Sequence, residues 1–364
     1  MSDSALIADK NVMGEKCYEY INHFGNTNMC DSLRCVTVFI PTYKNEELIL
    51  GCVNSCLSQT YKNIRIVVID NGFNECGDSL RKELTKFKDE RILYRPNTSN
   101  IGCQGNFSLI LSLAQETSRF ILIPADVCLA KDCIEKMMAA AEKTPSANMI
   151  YPRSISRDIR CSELTAEINI EDKLLPWPHR NSGPMSSKKM IKLFYSLNNL
   201  DSEWSHFSYI GALIDGALIR SIAMPRFRLW DHGNEELISL TLLSYTEDVV
   251  ILNDPLLIHY ANAERLGSAV RPGFNYTRYE PLHVEYYYLE AYEPHLIRRG
   301  MLLSELYLFL ILKTVYTMAR YPGPVYLLAP KAINACLRLV LCIIPVEFGI
   351  YIFKKIKRLK LSRP

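Results

Sequence analysis

Val36-Thr37-Val38-Phe39-Ile40-Pro41-Thr42-Tyr43-Lys44-Asn45 opens the part of the chain that decides its fold. Five apolar or β-branched residues stop at a proline, the pattern of a buried strand ended by a turn. The pattern returns twice. Ile64-Arg65-Ile66-Val67-Val68-Ile69 ends in Asp70-Asn71-Gly72, and Phe120-Ile121-Leu122-Ile123 ends in Pro124-Ala125-Asp126. Helical patterns lie between: 46–59, where Leu48, Cys52, Val53, Cys56 and Leu57 recur at three- and four-residue steps, then 79–88 and about 105–115. A short strand at 92–94 precedes the polar loop 95–100. This alternation predicts an α/β fold with a mostly parallel central sheet. Ligands of such sheets sit at the carboxyl ends of the strands, so the three polar strand ends read as one site, with a nucleotide as the natural occupant.

Outward from this stretch the pattern is less regular. Residues 131–142 read as a helix started by Asp132, and the signal weakens from 145 to 183, where Pro176-Trp177-Pro178-His179 reads as a loop. Helices are expected at 186–197 and 234–243, strands within 207–219, and short strands at 249–251 and 255–260. A polar loop at 261–279 leads into an aromatic-rich, helical 280–299. Residues 302–318 form an apolar helix interrupted by Lys313, and 325–353 are again apolar but carry Lys331, Arg338, Glu347, Pro330 and Pro345. A spanning helix needs about 20 nearly uncharged residues, and these segments fall short. The last eleven residues hold Lys354, Lys355, Lys357, Arg358, Lys360 and Arg363 and no acid. Apolar helices followed by a basic tail favour the interface of an anionic membrane, with a helical subdomain packed on the core as the alternative. The expected organisation is an extension at 1–33, one domain at 34–260 (halves 34–150 and 151–260), a covering loop and helix at 261–300, and C-terminal apolar helices with the tail at 301–364.

With 364 residues, 48% hydrophobic and 22% charged, the chain can bury a sizeable core, and a net charge of +3 gives no argument for nucleic acid. Its 12 cysteines contain no CxxC pair, and Met1-Ser2-Asp3-Ser4 lacks the basic start and apolar run of a signal peptide. Reduced thiols in the cytoplasm are the expectation. There is no P-loop, GxGxxG or Ser/His/Asp arrangement.

Val38-Phe39-Ile40-Pro41-Thr42-Tyr43-Lys44-Asn45-Glu46 resembles the opening signature of family 2 glycosyltransferases. Val67-Val68-Ile69-Asp70-Asn71-Gly72 is similar to that family's second signature, and Asn97, Asn100-Ile101-Gly102 and Gly105-Asn106-Phe107 resemble its Asn-x-Gly loop and following helix. Asp126 stands where the family places a metal-binding Asp-x-Asp, although the first position of that pair is Pro124 here. The Asp70-Asn71 and Gly105-Asn106-Phe107 forms resemble the subgroup that adds dideoxyhexoses such as abequose in bacterial O-antigens. The resemblance implies the GT-A fold, a nucleotide-sugar donor, a divalent cation (Mg2+ or Mn2+) and an inverting single displacement.

It also distributes roles. Pro41, Thr42 and Tyr43 would border the base, and Glu46 would accept from ribose or base or simply suit a helix N-terminus. Asp70 would accept a uracil imide N–H or close an Asx turn on Gly72. Asn100 and Gly102 would let the loop backbone approach the donor. Asp126, with His259 as a second candidate, would bind metal or diphosphate, while the flexible Arg265 and Arg271 could close over the diphosphate. The catalytic base is expected at Glu236, with Glu235 next and Asp231 as an alternative, before a helix in the second half. The resulting expectation is a glycosyltransferase of surface-polysaccharide (O-antigen or capsule) assembly, acting on a lipid-linked saccharide at the inner face of the membrane. The alternatives are a nucleotide-sugar-binding assembly partner that no longer catalyses, and, disfavoured by the missing phosphate loop, a nucleotidyltransferase.

Overall fold

The computed structural model of the chain describes residues 34–43, 46–72, 79–158, 167, 173–174, 182–194, 208–222, 234–261, 288–289, 296–298, 300–320, 332–333 and 335–336. Strands β1 (Val36–Thr42), β2 (Ile64–Asp70), β3 (Ile92–Pro96) and β4 (Arg119–Leu122) lie side by side in the order β3-β2-β1-β4, every pair parallel. Helices α1 (Glu46–Leu57), α2 (Ser79–Thr85) and α3 (Gly102–Ala114) make the crossovers. β1 and β2 are buried along nearly their whole length, which is why they read as apolar runs interrupted only by Thr37 and Arg65 before their polar ends. α1 turns Ile49, Cys52, Val53 and Cys56 into the core, the face its three- and four-residue spacing predicts.

The chain then enters β5 (Val127–Leu129), α4 (Cys133–Lys143) and β6 (Ala147–Asp158). Asp132 stands at the N-cap of α4 without a capping bond; its carboxylate pairs with Lys136 at 2.9 Å instead. β7 (Lys173–Leu174), β8 (Gly183–Ser186), α5 (Ser187–Phe194), β9 (Leu213–Asp215), α6 (Gly216–Ser221), α7 (Asn234–Tyr245) and β10 (Asp248–Ala261) follow. Among the described residues one sheet results, in the order β3-β2-β1-β4-β9-β6-β10-β5, with β7 on β6 and β8 on β10. Antiparallel pairing enters only in the second half: β9 runs against β4 and β6, and β10 runs against β5 and β8 while lying parallel to β6.

The structure departs from the sequence reading at β6, β10 and β9, and it adds the short strands β5, β7 and β8. The weak stretch after 145 holds the twelve-residue β6, in which Arg153, Ser154, Ser156 and Arg157 interrupt the apolar pattern. The two short strands expected at 249–251 and 255–260 are one strand, β10. Its register shifts on either side of Pro255, so a bulge accommodates a residue that has no N–H for the ladder. Among the described residues of 207–219 only β9 is a strand. Asp215 ends it by accepting from the Ala217 N–H at 2.8 Å, which starts α6.

The core lies between the sheet and helices α1 and α4, and two buried polar residues knit it. Gln59, fully buried, donates to the Ser55 and Ala130 carbonyls (3.0 and 2.8 Å) and accepts from the Ile134 N–H (3.1 Å). The Ser55 hydroxyl accepts from the Leu129 N–H at 3.1 Å. α1 is thereby bonded to β5, and the turn just after it to α4. The described cysteines are free thiols. Burial pushes Cys128 up to about 12, which makes it unreactive at neutral pH.

The chain divides into two compact units, Met1–Ser187 with His206–Ala269, and Lys188–Ser205 with Val270–Pro364. The sheet belongs to the first. In the second, α8 (Leu303–Arg320) buries Leu303, Leu306, Tyr307 and Leu310 and exposes Leu308, Leu312 and Val315. Its Glu305 pairs with Lys192 at 2.5 Å. No helix among the described residues is long and apolar enough to cross a membrane. The expected extension at 1–33, Asp231, Arg265, Arg271 and the basic tail lie outside the described residues.

Candidate active site

Because β1, β2, β3 and β4 are parallel, their carboxyl ends share one edge. Thr42 stands opposite Asp70, and Asp70 opposite Pro96. Across the same edge the Asn71 N–H donates to the Thr42 carbonyl (2.9 Å), and the Asn97 N–H to the Asp70 carbonyl (2.8 Å). On the other side of β1, the Ile123 N–H donates to the Phe39 carbonyl at 3.0 Å and carries the chain into Pro124, Ala125 and Asp126.

Each predicted donor-side residue falls here. Pro41 and Tyr43 are half-buried at the end of β1, and Glu46 begins α1. Thr42 is 4% exposed, and its hydroxyl has no hydrogen-bond partner. Leaving a buried hydroxyl unbonded costs about 1–3 kcal/mol, so this atom points to a group that arrives with a ligand. Asp70 is buried with both oxygens engaged: Oδ1 accepts the Gly72 N–H at 2.8 Å and Oδ2 accepts the Tyr94 hydroxyl at 2.7 Å. The Asx turn on Gly72 is therefore present, and Tyr94 orients the carboxylate. A carboxylate oxygen takes two donors, so each retains capacity for one more.

The loop after β3 is bonded by asparagines. Asn71 Nδ2 donates to Asn100 Oδ1 (2.9 Å) and the Gly102 carbonyl (3.3 Å), while its Oδ1 accepts from Asn97 Nδ2 and the Ile101 N–H, both at 2.9 Å. Asn97 Nδ2 also donates to Asn106 Oδ1 at 3.1 Å, and Asn100 Oδ1 accepts the Gly102 N–H at 2.9 Å. Gly102 takes φ +74°, a left-handed conformation that disfavours side chains, and opens α3 there.

Asp126 is half-buried just before β5. β5 lies against β10 with Val127 opposite His259, and the Tyr260 N–H donates to the Asp126 carbonyl at 2.9 Å. His259 is thus brought from the far end of the domain to within a residue of Asp126. Tyr260 also pairs in register with Arg157, which the sequence reading missed because β6 was not legible. Arg157, 8% exposed, donates to the Tyr260 hydroxyl (2.9 Å) and the Glu167 carbonyl (2.7 Å). It places a fixed cation beside the strand that carries His259. Among the described residues no three His, Cys, Asp or Glu side chains come together as a metal cage. A single carboxylate at Asp126 does not fit a cation held by protein alone. It fits one ligand of an ion whose other ligands are diphosphate oxygens and water.

The acid side reaches the same edge through β9. The Gly211 N–H donates to the Leu122 carbonyl at 2.7 Å, which puts 208–211 at the carboxyl end of β4. The Ser239 hydroxyl accepts the Tyr209 N–H (2.9 Å) and donates to the Glu235 carbonyl (2.7 Å), joining the start of α7 to that turn. Burial raises the Glu235 carboxyl above its ordinary value, and a hydrogen bond from Ser208 partly offsets this. Burial, with smaller contributions from Glu235 and Cys103, pushes the Tyr209 hydroxyl well above its ordinary value. Glu236 follows Glu235 in the first turn of α7; its side chain is outside the described set.

A parallel sheet whose carboxyl edge collects a Pro-Thr-Tyr turn, a buried Asp-Asn pair, a lone Asp and a helix-borne Glu defines a class. The profile of the family described as Glycosyl transferase family 2 matches residues 37–184, and the sheet and its helices have the GT-A fold. Over 59 residues it is 41% identical to the glycosyltransferase GlyA of Streptococcus pneumoniae serotype 4, a match covering 16% of this chain and 8% of that protein. Over 83 residues it is 32% identical to the UDP-Glc:alpha-D-GlcNAc-diphosphoundecaprenol beta-1,3-glucosyltransferase WfaP of Escherichia coli, covering 23% of this chain and 32% of that one. The matched segments thus span under a third of these curated relatives. A crystal structure of Staphylococcus aureus TarS superposes with TM-score 0.56 at 12% identity, covering 85% of this chain and 49% of TarS. TarS 1–349 in complex with UDP-GlcNAc gives 0.54 at 14%, covering 84% and 81%. At such identities the likeness is one of fold.

Proposed function

We propose that the chain transfers a sugar from a nucleotide-sugar donor to a saccharide acceptor with inversion at the anomeric carbon. The observation that carries this reading is the buried, unbonded Thr42 hydroxyl on the strand edge that also holds Asp70 and the Asp126 turn. Pro41, Thr42, Tyr43, Glu46 and Asp70 receive the nucleoside, and the 97–102 loop with Asn100 and Gly102 borders it. Asp126, with His259 beside it, faces the diphosphate and would give one ligand to a divalent cation, Mg2+ or Mn2+. Such an ion, when bound, neutralises charge on the departing diphosphate. A glutamate at the start of α7, Glu236 or the partly buried Glu235, takes the proton of the acceptor hydroxyl. That oxygen then bonds to the anomeric carbon as the bond to the diphosphate breaks on the opposite face.

The acceptor reading is a lipid-linked saccharide of surface-polysaccharide assembly, O-antigen or capsule. It draws on the lipid diphosphate in the WfaP name and on the apolar surface of α8 followed by a basic tail. These features also favour a cytoplasmic enzyme resting on the inner face of a membrane. Pro124 favours a second reading, a nucleotide-sugar-binding assembly partner without turnover. A panel of nucleotide sugars, screened for binding and then for transfer or hydrolysis with and without Mn2+, separates the two. Retained nucleotide binding with no turnover of any donor supports the second and sinks the first.

A further inference from the structure

We infer that Asn71 is a positioning residue: its carboxamide latches the 97–102 loop and the start of α3 to the end of β2, giving the donor side of the site its shape. The side chain is 6% exposed and uses its whole hydrogen-bonding capacity, two acceptor sites on Oδ1 and two N–H groups on Nδ2. Its orientation is not ambiguous. The Ile101 N–H can only donate and the Gly102 carbonyl can only accept, so oxygen must face the first and nitrogen the second. Two segments meet on this one group, the end of β2 and the loop carrying Asn97 and Asn100 together with the start of α3 that follows it, which Asn97 secures again through Asn106. Nothing on the amide is left for a ligand. Asn71 therefore acts through the loop, whereas its neighbour Asp70 keeps acceptor capacity for the donor.

The latch requires an amide and excludes its isostere. A carboxylate at 71 would keep the two accepted bonds but would set unprotonated oxygens against Asn100 Oδ1 and the Gly102 carbonyl. If position 71 contacted the donor or a cation directly, aspartate would serve as well or better. The proposal takes the donor from the transferase reading, but the latch stands on the hydrogen bonds alone.

The test uses the full chain with Asn71→Asp and Asn71→Ala. Hydrogen exchange reports the latch without ligand. In wild type the Ile101 and Gly102 amides are protected, and in both variants they exchange at least about tenfold faster, as loss of a local bond dictates. With UDP as probe, both variants bind about tenfold more weakly, and in a donor assay the loss falls on KM, with kcat at saturation within about threefold. Wild-type exchange and UDP affinity in Asn71→Asp would overturn the proposal, as would unprotected Ile101 and Gly102 amides in the wild-type chain, a result that stands even if both variants fail to fold. If wild type binds neither UDP nor any donor of the panel, the transferase reading fails while the exchange data still decide the latch.

Discussion

At the scale of one residue, Thr42 is where the proposed binding role and stability oppose each other. Its hydroxyl is buried and unbonded, so Thr42→Val, nearly the same shape, should raise stability by about 1 kcal/mol, read as a higher urea midpoint. The same change should weaken UDP binding several-fold in calorimetry; a variant that binds as wild type removes Thr42 from the donor site. Asp126→Ala should lower metal-dependent transfer by about a hundredfold or more in a Mn2+ titration, the usual cost of removing a group that stabilises leaving-group charge. Unchanged turnover would take Asp126 out of the site. Glu235 carries a pH signature. Its carboxyl is raised in the folded chain, so the native state keeps a proton that the unfolded chain releases. Its contribution to stability is complete below the ordinary carboxylate value of about 4.3 and is lost as pH rises through the folded value. Glu235→Gln should flatten that decline in urea midpoints measured from pH 4 to 8. If Glu235 is the base, wild-type turnover rises over the same window in which stability falls.

At the scale of elements, legibility followed how each strand is covered. β1, β2 and β4 are mostly apolar because they are buried along nearly their whole length, so their ends, and with them Thr42, Asp70 and Asp126, could be located from sequence. β6 and β10 carry Arg153, Arg157, Asn253 and Pro255 among apolar residues, and no periodicity survives a bulge. Arg157 was hidden for that reason. The pairing of His259 with the Asp126 turn is a register fact between remote segments, which local pattern does not encode. The β9–α6 junction was legible only as a glycine. A Cβ on Gly216 would stand 2.0 Å from the Thr117 carbonyl oxygen and 2.9 Å from that of Ala114. Both are backbone atoms that cannot rotate away, so Gly216→Ala should destabilise by about 2–3 kcal/mol in denaturant unfolding. A loss under 0.5 kcal/mol would mean the junction is not tightly packed.

At the scale of the whole molecule, the two units divide the proposed labour. The sheet unit holds the donor-side residues and the acid, and the other unit carries Leu308, Leu312 and Val315 exposed one helical turn apart on α8. With the cationic tail these residues suit an anionic surface. Removal of residues 325–364 should abolish sedimentation with vesicles rich in anionic lipid while UDP affinity is kept; undiminished vesicle binding would put the contact elsewhere.

The pairing of β5 with β10 has a consequence in time. Val127 and His259 are about 130 residues apart in the chain, and contacts of such separation form late because a long loop must close first. A nascent chain released at mid-length would already own the Pro-Thr-Tyr turn, Asp70 and Asp126, yet β5 would have no strand to pair with. The strand that brings His259 beside the Asp126 turn is among the last parts of the sheet unit to leave the ribosome, so this edge of the sheet is completed in one late step rather than accumulated.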